Sequence, residues 1–78
     1  MRVELRSRLI EAASYEEDVR LLRLYMTNGQ LREFSDVPKR IFDDLSNAKS
    51  AGTYYVNNIR GRFSEPASYP VGATAPHR

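Results

Sequence analysis

The tetrad Thr27-Asn28-Gly29-Gln30 constrains the fold of this chain most, because it lies between two short runs of apolar patterning, Val19 to Met26 and Leu31 to Ser35. Asparagine and glycine tolerate the positive φ values that tight turns between right-twisted strands demand, so an antiparallel hairpin is predicted here. A two-residue turn would pair Met26 with Leu31 and leave Phe34 and Tyr25 on the outer face. A three-residue turn closed by a glycine bulge would instead set Phe34 beside Leu22, in the core. A lone strand phenylalanine in a small domain belongs to the core far more often than to a binding platform, which favours the bulged turn.

Around this hairpin the rest of an α+β domain can be placed. Val3, Leu5, Ser7 and Leu9 alternate with Arg2, Glu4, Arg6 and Arg8, the period of a strand with one buried face. Glu16, Glu17 and Asp18 interrupt the apolar pattern and mark a turn before the second strand, in which Leu22, Leu24 and Met26 share a face. The result is a three-stranded antiparallel β-meander. Asp36 is placed to cap a helix with Pro38 in its first turn, and Val37, Ile41, Phe42, Leu45 and Ala48 form its apolar stripe. Ser50 then caps a second helix, from about Gly52 or Thr53 to Arg62, with Tyr55, Ile59 and Phe63 recurring every four residues and Gly52 permitting close backbone approach. Both helices are expected on one face of the sheet. After Phe63 the composition turns proline-rich and aperiodic, which divides the chain into a domain over 1–63 and a disordered C-terminal tail over 64–78.

Size and chemistry then narrow the function. At 78 residues the core is thin, and with no cysteine neither disulfides nor thiolate-bound metal can reinforce it. The start alternates charged and apolar residues where a signal peptide needs an unbroken apolar run, and no stretch approaches a membrane span. A cytoplasmic location is the default. The single histidine, His77, is the penultimate residue, so no Cys-His or Ser-His-Asp arrangement can be assembled. Glu16-Glu17-Asp18 and Asp43-Asp44 lack metal-ligand spacing, and no glycine-rich phosphate loop is present. Neither a catalytic site, a metal nor a cofactor is expected.

The order Ser7-Arg8-Leu9-Ile10, Tyr15, Leu22 to Met26, Asn28-Gly29, Phe34, Val37-Pro38, Ala48-Lys49-Ser50-Ala51-Gly52, Tyr54-Tyr55, Asn58-Ile59-Arg60 and Phe63 resembles the KTSC domain, named for the C-terminal extension of some lysyl-tRNA synthetases. The resemblance covers residues 3 to 63. It implies a fold, a bacterial or phage origin, and RNA binding by association with the synthetase. Two departures stand out. The family's Tyr-x-Tyr falls on Arg32-Glu33-Phe34, and the second of its paired serines falls on Arg8.

Net charge is only +2, yet Arg2, Arg6 and Arg8 crowd the start, and Lys49, Arg60 and Arg62 occur with no carboxylate between Lys49 and Phe63. If the first strand lies beside the last helix, these cations share one surface. Two binding classes follow. In the first, structured RNA such as tRNA meets Arg6, Arg8, Arg32, Lys49, Arg60 and Arg62 at its phosphates, with Tyr54 or Tyr25 available to stack on an unpaired base and Asn58 nearby. In the second, another protein docks on an edge strand or on the exposed side of the last helix. A basic surface with stackable aromatics would favour RNA, and a contiguous apolar patch would favour protein.

Overall fold

The structure, a computed structural model, describes residues 1–65 and 68–70, the last three through their backbone alone. Strands β1 (Arg2–Glu4), β2 (Ile10–Glu16), β3 (Leu21–Met26) and β4 (Gln30–Phe34) form an antiparallel meander, followed by helices α1 (Lys39–Asn47) and α2 (Ala51–Asn58). A three-residue segment, β5 (Ser68–Pro70), lies antiparallel along β4, with Leu31 opposite Tyr69. This is the α+β fold expected, with one strand more in the meander.

The additional strand is β2. The alternation from Arg2 to Leu9 does not continue as one strand, because Ser7 turns the chain. Its hydroxyl accepts the amides of Leu9 (3.0 Å) and Ile10 (3.3 Å), and its own amide donates to the Leu5 carbonyl at 2.6 Å. Serine does this readily, since its side chain competes with the sheet for backbone partners. Strand β2 was illegible because its register slips at Glu11: Ile10 opposes Met26, but Ala12 opposes Tyr25. Such a bulge inverts the phase of the alternation, so Ile10, Ala13 and Tyr15 reach one face without period-two spacing.

Hairpin β3–β4 takes the bulged form. Leu22 opposes Phe34, Gly29 has φ of +92°, and the Gly29 amide donates to Met26 at 3.1 Å. Phe34 is accordingly buried with Leu22 and Leu24 under the helices. Tyr15 stacks on Phe42 with centroids 5.5 Å apart, Phe34 meets Tyr55 edge-on at 6.2 Å, and Val37, Leu45 and Ile59 are fully enclosed. The Tyr15 hydroxyl donates to the Val37 carbonyl at 2.5 Å.

Helix α1 begins at Lys39 without the Asp36 cap. Asp36 adopts φ of +58°, and no side chain caps the helix start. The bend serves Val37, whose amide donates to the Arg20 carbonyl and whose side chain fills the core. Ser50 caps α2 as expected, accepting the Thr53 amide, although the helix ends at Asn58 rather than Arg62. At Phe63 the chain stays on the domain. Ser64 bridges Ser35, and Glu65 grips Arg32 through two bonds of 2.6 and 2.9 Å. The rest of the expected tail, 66–67 and 71–78, lies outside the described residues, His77 included.

Candidate nucleic-acid interface

The corner formed by Ser7 faces the junction of α1 and α2, and between them runs an open groove of about 700 Å³. One wall is the corner itself, carrying Arg6, Arg8 and Leu9. The other is Ser46 and Ala48 at the end of α1, Lys49 and Ser50 in the linker, and Thr53, Val56 and Asn57 on α2. Gly52 forms the seam. A methyl group there would stand 3.3 Å from both Leu9 Cβ and Ser7 Oγ, so the walls could not meet around a larger residue without moving. Thr27 braces the corner from the far side, its hydroxyl donating to the Arg8 carbonyl at 2.6 Å and its amide to the Leu9 carbonyl at 3.0 Å. The hairpin turn thus fixes where Arg6 and Arg8 stand.

Of the residues singled out in the sequence, the groove brings together Arg6, Arg8 and Lys49. The others lie elsewhere. Arg60 and Arg62 follow the far end of α2, whose eight residues span about 12 Å. Arg32 extends from β4 over the Tyr55 ring, 5.9 Å from its centroid, and its charge is matched by Glu65, which holds the guanidinium more firmly protonated. Tyr54 is half-buried with its hydroxyl 3.5 Å from Asp44, and burial followed by the nearby carboxylate raises its pKa. Asn58 donates to the Tyr54 carbonyl one turn back. Tyr25 lies under the Arg2 guanidinium, 4.7 Å away on the sheet's outer face.

Pairing of charge distinguishes the groove from the outer sheet face, although Arg20 and Arg40, outside the groove, are also without an ion pair among the described residues. Arg2 pairs with Glu4, Arg23 with Glu16 and Glu33, and Lys39 with Asp43. Arg6, Arg8 and Lys49 make no ion pair among the described residues, and neither do Arg60 and Arg62. The outer sheet face is therefore close to neutral, while the groove sets three unpaired cations against one lining carboxylate, Glu4, which is itself paired with Arg2. Sequence reasoning missed Leu9 and Val56, two large apolar side chains that remain 37% and 45% exposed, both in this groove. The signal for Val56 was present: it falls off the Tyr55, Ile59 and Phe63 stripe. Among the described residues, no group of three or more His, Cys, Asp or Glu could hold a metal ion, and no helix is long and apolar enough to cross a membrane.

Comparison with known proteins places this geometry. The KTSC domain family model matches residues 6–63. A protein of Tsukamurella paurometabola is 37% identical over 57 residues, covering 73% of this chain and 85% of that relative. Lysine–tRNA ligases of Nostoc punctiforme and of another Nostoc strain are 33% and 35% identical over 55 and 54 residues, covering 70% and 69% of this chain. The match is 10% of each ligase, so the chain corresponds to about a tenth of their length. The crystal structure of a KTSC domain protein from Yersinia pestis superposes with a TM-score of 0.79 at 24% identity, covering 92% of this chain and 97% of that one, and shares the fold.

Proposed function

The chain belongs to the KTSC domain family, and from that premise we propose that it is a non-catalytic binding module that holds structured RNA, such as tRNA, by the phosphate backbone. The observation carrying this reading is that Arg6, Arg8 and Lys49 converge on one groove with their charge uncommitted, whereas the cations of the sheet face are paired. Unpaired cations on a shaped surface gain affinity from phosphates by releasing counterions. Related sequence within ligases named for tRNA supports the same partner. Arg60 and Arg62, unpaired beyond the far end of α2, would extend the contact along the backbone.

Binding of labelled tRNA, titrated against salt from low ionic strength, tests this reading. Three phosphate contacts give a log-log slope of about −2 to −3, and Arg6→Ala with Arg8→Ala should flatten it by roughly 1.4 to 1.8 with the fold intact. Absence of salt-sensitive RNA binding would sink the reading. A protein-binding reading draws on one observation, the exposure of Leu9 and Val56 in the same groove. It would take over if a polypeptide were retained after nuclease digestion and lost on Val56→Lys substitution.

A further inference from the structure

Among the described side chains, the tyrosines suited to stack on bases are engaged elsewhere: Tyr54 toward Asp44, Tyr25 under Arg2, and Tyr15 and Tyr55 in the core. The groove offers an apolar surface in their place. Leu9 packs beside Gly52, within 3.7 Å of where a side chain there would begin, and Val56 follows Gly52 by one helical turn on the same side of α2. Leu9, Gly52 and Val56 thus give the groove an apolar floor, and Asn57 beside it exposes an amide that both donates and accepts. Of the four large apolar side chains left exposed among the described residues, the two in this groove stand between unpaired cations and suit a ligand that is anionic along one edge and flat and apolar on another. An unpaired nucleotide has that chemistry. A base inside a duplex hides its face by stacking, and a plain polyanion has no face to offer.

We propose that this floor receives an unpaired base while Arg6, Arg8 and Lys49 hold its flanking phosphates, so that the module selects single-stranded segments, such as loops and ends, within a structured RNA. The inference rests on the RNA-binding reading and specifies the state of the RNA it takes. Base recognition in RNA does fall mainly on unstacked nucleotides, whose faces and edges are open to the protein. Phosphate contacts position the strand, and the apolar floor supplies the preference.

The test compares an oligouridylate with an RNA duplex of equal phosphate count, by fluorescence anisotropy at one low salt concentration. Wild-type protein should prefer the single strand by about tenfold. Val56→Ala, at an exposed position, should weaken single-strand binding roughly three- to tenfold and leave duplex binding unchanged. Arg6→Ala with Arg8→Ala should weaken both. Equal affinity for the two forms, or an unchanged Val56→Ala variant, overturns the single-strand proposal while the RNA reading stands. Failure to bind either RNA removes both. Displacement of the oligonucleotide by polyglutamate at equal charge would assign the groove to an acidic polypeptide and also overturn the proposal. Should Val56→Ala fold poorly by circular dichroism, Leu9→Ala probes the same floor from the opposite wall.

Discussion

Two buried tyrosines show how little a residue's name settles about its contribution. Tyr15 and Tyr55 are each 2% exposed, yet the Tyr15 hydroxyl donates to Val37 while the Tyr55 hydroxyl has no hydrogen-bond partner among the described residues. Removing a partnered hydroxyl strands the buried carbonyl, so Tyr15→Phe should cost about 1 to 3 kcal/mol. Removing the unpartnered one relieves a desolvated group. Tyr55→Phe should therefore be neutral or stabilising by up to about 1 kcal/mol in urea titration. The two also differ in alkali. Burial raises the Tyr55 pKa, against the opposing pull of Arg32. Its ionisation thus begins in the unfolded chain first, so its contribution is complete below pH about 10 and is lost as pH rises above that. Unfolding free energy should fall more steeply above pH 10 in the wild type than in Tyr55→Phe, and equal slopes would contradict the burial argument.

At the scale of elements, α2 is defined by its first three positions. Ser50 accepts the Thr53 amide, so Ser50→Ala should lower stability by about 1 kcal/mol. Gly52→Ala sets two effects against each other. Alanine gains about 1 kcal/mol of helix propensity over glycine. The added methyl stands 3.3 Å from Leu9 and Ser7, which Thr27 holds in place, so the corner must give by a few tenths of an ångström. Net stability should change little, while amide chemical shifts from Leu5 to Ile10 move more than those of the sheet. Shifts confined to α2 would show that the seam is looser than described. Elements with uninterrupted periodicity were legible in the sequence: β3, β4, α1 and the stripe of α2. Strand β2 was not, because a bulge inverted its phase, and the corner was not, because Ser7 occupies what alternation presents as an inward strand position. The groove was legible in part. Arg6, Arg8 and Lys49 could be grouped on charge, but which cations a carboxylate would neutralise depends on register and on residues as distant as Glu65.

For the molecule as a whole, the end of the domain is an energetic question. A chain stopping at Phe63 loses the Ser35–Ser64 bridge and leaves Arg32 unpaired over Tyr55, whereas one stopping at Glu65 keeps both. The pair is bidentate and mostly shielded, so the longer chain should be more stable by about 1 kcal/mol, with the difference shrinking in high salt. Equal melting temperatures at low salt would place the boundary at Phe63 after all. The meander carries a separate consequence for time. Each of β1 to β4 pairs with its neighbour in sequence, and α1 and α2 meet across a short linker. Ring closures between these neighbouring elements are therefore small, and the entropy lost before each is compensated by its own contacts is small as well. Such a chain should reach its native state in a single exponential phase on the order of milliseconds, with the Met26 to Gln30 turn among the earliest parts to form. A chain that emerges from synthesis in this order can complete each hairpin of the meander as its second strand appears, which leaves the β4 edge as the one that waits for Ser68–Pro70 to follow.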